Sequence, residues 1–313
     1  MIRLFLMNRV WVLLLLPLVI AIFQYLHWIS GNISSEIADF GLWGEWQLTQ
    51  NISYVFSGIF LVANAVTLNY SYNSYEFLDR NSYLTSLLYV IAMSFYKAFY
   101  EFNYVICVHF LFILMLLQFY EMKQHLDARK YVFNAFIIIG LATTFQPLLL
   151  FFFPIFATSV LIFRPFIIRE FILSILGFLV PFIYCFTYLW YSNSSPIFEF
   201  EWSIFTTQNT ELLGILATYF ALITIAYFSI RSRLQKSSVR LKKQILLLWL
   251  FVIIGLITGI LVQLGKNELN DFSISILFLT SLLTYSFLHK TYGLIASVVL
   301  YVCMIYSMLK FFV

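Results

Sequence analysis

Charge is what this sequence has least of. Only 10% of its 313 residues are charged, against about a quarter in a soluble globular domain, and no stretch is polar enough to form a soluble domain of any size. That scarcity excludes a secreted module, a soluble enzyme and a disordered tail. Cysteine is scarce as well. Cys107, Cys185 and Cys303 each lie inside an apolar run, odd in number and without a C-x-x-C spacing. They support neither a disulfide scaffold nor a zinc site, and read as small residues buried in helices. Catalytic signatures are missing too: there is no Gly-rich phosphate loop, no G-x-S-x-G elbow and no H-E-x-x-H. Nucleotide-driven, serine-hydrolase and zincin chemistries therefore have no support. His27, His109, His125 and His289 show no ligand spacing, which excludes a helix-borne site of four histidines. Without a soluble domain, nucleic acid is not an expected partner.

What is present is apolar and aromatic. Hydrophobic residues make up 62% of the chain, with 36 Phe and 21 Tyr, and the mean hydropathy is +0.92. A bilayer is the solvent in which so much apolar surface is not a liability. The expected fold is all-α, a single polytopic transmembrane helical bundle over residues 1–313.

The first apolar run extends from Val10 to Trp28 behind Arg3 and Arg9, about the twenty residues that cross hydrocarbon. No small-x-small cleavage site follows, so it reads as a retained span and not a removed signal. Further apolar runs cover 52–68, 83–99, 104–119, 132–145, 147–163, 171–190, 212–230, 245–264, 272–288 and 294–309, giving eleven spans within a range of nine to twelve. Pro147 lacks a backbone donor and disfavours helix at Gln146, so a break is expected there, as a hairpin or as a kink.

Lys and Arg test the count independently, because positive charge is retained on the cytoplasmic side. With the N-terminus inside and the sides alternating, fifteen of the eighteen fall inside and only Lys97, Lys266 and Lys310 fall outside. Nine of the fourteen carboxylates fall outside, among them Glu36, Asp39, Glu45, Glu101, Glu199 and Glu201. The expected orientation is N-terminus cytoplasmic. The two longest outer segments, 29–51 and 191–210, are rich in aromatics and acids, and each has room for a short helix on the surface. No internal repeat is evident, which does not favour an inverted-repeat transporter.

The segment from Phe133-Asn134-Ala135 through Ile139-Gly140-Leu141-Ala142 to Phe145-Gln146-Pro147 has a distinct texture. Ile162-Phe163-Arg164-Pro165, Arg169-Glu170 and Leu176-Gly177-Phe178-Leu179-Val180-Pro181-Phe182 follow, ending in Tyr188-Leu189-Trp190. With the chain length and short basic lead, this resembles a family of uncharacterised multi-spanning inner-membrane proteins of Bacteroidota, which carries no assigned activity. The Gly-Leu-Ala…Pro stretch is also similar to helices of C-type-fold glycosyltransferases. That second resemblance implies an acid in the first external loop, beside a polyprenyl-linked sugar donor, with Glu36 or Asp39 in that place. Such a carboxylate acts as general base or holds a divalent metal, and no other cofactor is expected. The family's neighbouring arginine and paired acidic motif are not evident, since 29–51 contains no Arg or Lys. Glu36 and Asp39 share a face if the loop is helical; the bland alternative is a solvated acidic loop.

Other polar features are few. Glu199 and Glu201 flank Phe200, an arrangement that suits a sugar-facing strip or an interfacial anchor. His109 lies mid-span, Asn134 and Gln146 lie near span ends, and Lys97 and Glu101 have the spacing of a helical ion pair. The longest basic inner loop, 231–243, carries Arg231, Arg233, Lys236, Arg240, Lys242 and Lys243 with no acid. It is a candidate site for anionic lipid headgroups, each basic residue contributing about 1 kcal/mol near the surface, or simply a topology determinant. Together these readings favour a subunit of a membrane assembly without a complete catalytic site, with membrane lipids and other membrane subunits as partners. A glycosyltransferase is the alternative and a transporter the weaker one.

Overall fold

The computed structural model describes residues 2–30, 37–122, 127–192, 210–266, 269–288 and 290–309. In chain order the elements are α1 (Ile2–Phe5), α2 (Leu15–Ile29), β1 (Ile37–Asp39), β2 (Glu45–Gln47), α3 (Gln50–Ser74), α4 (Leu84–Met93), α5 (Tyr104–Glu121), α6 (Arg129–Phe145) and α7 (Phe153–Phe163). They continue with α8 (Ile168–Tyr191), α9 (Thr210–Lys236), α10 (Val239–Lys266), α11 (Phe272–Leu283) and α12 (Lys290–Leu309). The expected all-α character holds. Among the described residues, five apolar segments have the length and composition to cross a membrane: Val10–Ile29, Gln50–Ser74, Tyr104–Glu121, Ile168–Tyr191 and Val239–Gln263. Leu84–Met93, Pro147–Phe163, Leu216–Arg231, Phe272–Phe287 and Gly293–Leu309 are apolar but shorter.

The chain forms two compact units, and α3 contributes its residues to Asn64 to one and those from Ala65 to the other. The first unit contains α1, α2, α4 and α9–α12. Its centre is α11, in which every residue from Phe272 to Leu283 is buried. Close approach of α10 makes this possible. A Cβ on Gly255 would stand 2.5 Å from the Ser275 amide nitrogen, and one on Gly259 would stand 2.8 Å from the Phe272 ring. Glycines four apart let two backbones meet, a common means of packing helices where lipid removes the hydrophobic drive.

Many of the hydroxyls buried in this unit find partners within it. Ser275 and Thr280 donate back to the carbonyls of Phe272 and Leu277 at 2.7 and 2.9 Å. Thr85 meets Thr284 at 3.0 Å, Ser229 meets Ser286 at 3.0 Å, and Ser94 meets Ser307 at 2.6 Å. Tyr219 donates its hydroxyl to the Phe272 carbonyl, which leaves Tyr96 to donate to Tyr219 at 2.9 Å. Such pairs satisfy hydroxyls away from water.

The second unit holds the β1–β2 hairpin, the first part of α3, and α5–α8. The chain stops being helical at Gln146, which is extended, and continues as a tight 3-10 turn over Pro147–Phe152. The rings of Phe136 and Phe153 are 5.9 Å apart, so the break is a fold-back and not a kink in one long span. α6 and α8 are the closest pair. A Cβ on Gly177 would stand 2.7 Å from the Phe133 carbonyl oxygen, and one on Gly140 would collide with the Phe178 carbonyl. Phe112 meets Phe156 at 6.2 Å and Tyr120 meets Phe163 at 6.4 Å, so α5 and α7 run side by side in the same direction.

Two sequence expectations need correction here. The run 83–99 is not one continuous helix, because α4 ends at Met93 and a separate 3-10 turn follows over Lys97–Phe99. Lys97 and Glu101 therefore do not share a helical face. The basic segment 231–243 is not a loop: α9 runs on through Arg231, Arg233 and Lys236, and α10 begins at Val239, leaving Ser237 and Ser238 as the link. Lys and Arg favour helix, and the Ser238 hydroxyl accepts the Leu241 amide hydrogen at 3.3 Å as an N-cap.

Candidate functional site

Within the acidic segment following the first apolar run, residues 37–47 form a β-hairpin, not a helix. Its register pairs Ile37 with Gln47, Ala38 with Trp46 and Asp39 with Glu45. The turn is specified locally. The Gly41 amide donates to Asp39 Oδ1 at 2.8 Å, and the Phe40 amide donates to the Gly44 carbonyl at 3.1 Å. Gly41 and Gly44 have φ of 65° and 84°, a region that glycine enters without strain. Asp39-x-Gly41-x-x-Gly44 was the visible signal for this turn.

The hairpin is seated on the C-terminal ends of α6 and α8. Trp43 donates its indole N–H to Thr144 Oγ1 at 3.0 Å, and the Trp43 ring stands 5.5 Å from that of Tyr188. Leu42 is buried with Cys185 and Leu189, flanked by Phe182. Phe40 sits among Trp46, Phe102 and Phe145 at 4.9, 5.5 and 6.3 Å. The Phe102 amide in turn donates to Ser53 Oγ at 2.8 Å. Glycine is required at position 41 twice over, since a Cβ there would overlap the Phe145 carbonyl. Gly41→Ala is expected to unseat the hairpin while α6 and α8 stay folded, seen as faster amide hydrogen exchange over 37–47 only.

Of the acidic candidates, Asp39 is half-buried and Glu45 is exposed on the opposed strand position. Directly opposed residues of an antiparallel pair project to one face. Asp39 therefore shares a face with Glu45, and Asp39 itself lies on a strand and not on a helix. Glu36, Glu199 and Glu201 lie outside the described residues. Among the described residues, no three of His, Cys, Asp and Glu come together as a metal-ion ligand set. His109 is fully buried in α5.

The other end of this unit is basic. Arg129, Lys130, Arg164 and Arg169 lie where α5 and α7 end and α6 and α8 begin. Arg164 Nη2 is 3.4 Å from Glu170 Oε1, both side chains being largely buried, and Arg164 Nη1 donates to the Met122 carbonyl at 3.2 Å. Arg129 and Asp127 form an exposed pair at 3.4 Å, of the kind that contributes little. In the other unit, the lipid-headgroup candidates cluster at the α9–α10 link. Arg231 and Lys242 are exposed there, Arg240 and Lys243 are half-buried, and the side chains of Arg233 and Lys236 are outside the described set.

Sequence reasoning missed Trp43, Thr144 and the Arg164–Glu170 pair as structural anchors, because their partners lie far along the chain or across a turn. No family model matches this chain, and neither a curated protein nor a solved structure matches it.

Proposed function

We propose that this chain is an eleven-span protein of the bacterial inner membrane, N-terminus cytoplasmic, that serves as a subunit of a membrane assembly. The hairpin carries this reading. One side of it is fastened to the helix ends through Leu42 and Trp43, while Glu45, Trp46 and Gln47 of β2 are all exposed. In a two-stranded sheet β2 also has an edge with no neighbouring strand among the described residues, and a held, exposed edge suits pairing with another chain. The placement draws on charge. The Arg129, Lys130, Arg164 and Arg169 end takes the cytoplasmic side under the positive-inside rule, which puts the hairpin outside. The resemblance to uncharacterised Bacteroidota inner-membrane proteins supports the same location.

The test is gentle detergent extraction of tagged protein and mass spectrometry of the proteins and lipids that remain. A stoichiometric protein partner lost on Trp46→Ala is expected. A preparation without any protein partner but with a polyprenyl phosphate would overturn the subunit reading in favour of the C-type glycosyltransferase. That second reading has its own support in the Asp39–Glu45 register, which sets two carboxylates on one face of the hairpin. Asp39→Asn separates the two, because an amide oxygen still accepts the Gly41 N–H and the turn survives. We expect Asp39→Asn to leave the partner bound at wild-type stoichiometry. A transferase would instead lose sugar transfer at an unchanged protein level.

A further inference from the structure

We propose that the α9–α10 turn binds anionic phospholipid, with headgroup phosphates held at Arg231 and Lys242 and acyl chains lying along Tyr227 and Leu246. This inference rests on the membrane placement above and not on the subunit role. Ser237 and Ser238 join the two helices, and the joint is hydrogen-bonded on both sides. The Ser237 amide and hydroxyl donate to the Leu234 carbonyl at 3.3 and 3.0 Å, and the Lys242 amide donates to the Ser238 carbonyl at 3.2 Å. The cations flanking the turn are therefore carried on fixed helix ends and not on a loose loop.

Packing against α11 brings both helix ends to one level. α9 runs in the direction of α11, since Tyr219 meets the Phe272 carbonyl and Ser229 meets Ser286. α10 runs the opposite way, with Gly255 against Ser275 and Gly259 against Phe272. Arg231, just past Ser229, and the cations at 240–243 thus share the end of the unit at which α11 finishes.

Their counter-charge is not in the adjoining chain, which has no acid between Glu211 and Glu268. Glu211 stands in the first turn of α9, about 30 Å along the helix from Arg231, and Glu268 follows the far end of α10. The α3–α4 connection does reach the basic end, where the Tyr285 hydroxyl donates to the Phe77 carbonyl at 2.8 Å, but its exposed Glu76 and Asp79 come with an exposed Arg80. Among the described residues, none of Arg231, Arg240, Lys242 and Lys243 forms an ion pair. Arg240 and Lys243 are half-buried, where an uncompensated charge is costlier than in open water. The turn calls for an anion from outside the chain.

The exposed faces identify the kind of anion. Tyr227 and Arg231 are four residues apart on α9, and Lys242 and Leu246 are four apart on α10, so each exposed cation shares a face with an apolar side chain one turn deeper. Tyr227 and Leu246 are 53% and 54% exposed, and Ile253 and Ile257 continue the α10 strip toward mid-helix. A cation at the rim above an apolar strip matches a phospholipid, whose phosphate sits above its acyl chains. An acidic protein segment or a soluble polyanion would leave the strips unused. A topology determinant needs only the number of charges, neither the strips nor the fixed positions.

The experiment offers the detergent-purified protein an equimolar mixture of phosphatidylglycerol and phosphatidylcholine with identical chains and reads retained lipid by native mass spectrometry. Phosphatidylglycerol should be retained about tenfold over phosphatidylcholine, whose own ammonium offsets its phosphate. Arg231→Gln combined with Lys242→Gln should erase that preference. Arg129→Gln combined with Lys130→Gln, an equal loss of charge in the other unit, should keep it. Leu246→Asn retains every charge and should cut phosphatidylglycerol retention several-fold. Equal retention of the two lipids by the wild-type protein overturns the proposal. An equal fall in both double variants overturns it too, reducing the effect to net charge. Full retention by Leu246→Asn, or displacement by soluble glycerol phosphate, would overturn the lipid assignment. Retention of the chain in carbonate-washed membranes is scored separately. Its failure would defeat the membrane placement, whereas membrane retention without lipid preference defeats only this site.

Discussion

Gly140→Ala is expected to destabilise the α6–α8 pair by about 3 kcal/mol, at the upper end of what overpacking costs. The obstacle is the Phe178 carbonyl oxygen, which a Cβ at position 140 would strike, with the Phe178 carbonyl carbon at 3.1 Å and Cα at 3.2 Å. Those are backbone atoms of α8, so no rotamer change makes room, and the helices have to separate along the crossing. Gly177→Ala meets the Phe133 carbonyl at 2.7 Å from the other side of the same crossing. Once the helices have parted for one substitution, the second adds little, so the double variant should fall well short of the sum. Leu179→Ala, on the 48%-exposed side of α8, should change stability little. Thermal unfolding in detergent checks all four, and an unchanged midpoint for Gly140→Ala would show that the helices do not approach as closely as described.

Arg164→Met should be comparably damaging, for an electrostatic reason. Glu170 lies within the first turn of α8 with its side chain only 6% exposed, and Arg164 is its ion-pair partner. Removing the guanidinium leaves a buried carboxylate without compensation, typically about 3 to 5 kcal/mol. It also removes the donor to the Met122 carbonyl that joins the end of α5 to the turn before α8. Arg164→Met combined with Glu170→Met should recover most of the loss, since a buried ion pair contributes little net stability beyond avoiding an unpaired charge. If the double variant were as unstable as the single one, the damage would come from the lost Met122 contact. By contrast, Arg129→Met next to exposed Asp127 should be within about 0.5 kcal/mol of wild type.

These effects show where the sequence was legible. Gln146-Pro147 announced a helix end, because proline constrains both itself and its predecessor. Only the 5.9 Å approach of Phe136 to Phe153 distinguished a fold-back from a kink. The 29–51 segment has room for a short surface helix on its aromatics and acids, yet its two turn glycines are local signals for a hairpin. The segment 231–243 was read as a loop on charge alone, although its Lys and Arg are good helix formers and only the serines at 237 and 238 interrupt them. Charge density reports exposure to water or headgroups, not backbone conformation.

Composition and the spacing of apolar runs were enough to establish a predominantly helical chain with several membrane-length helices, because the lack of water in hydrocarbon leaves the helix as the one local solution for an apolar single chain of this texture. Charge counting along the chain separated a basic set of helix ends from an acidic set, a property of sequence order alone. Contacts between distant residues had to await the tertiary structure. Gly140 against the Phe178 backbone, Trp43 on Thr144, and the burial of α11 on all sides each depend on which helix lies beside which. That choice is made by backbone approach and side-chain fit across many residues of separation, and in helices that are apolar all round no periodic pattern marks the face that turns inward.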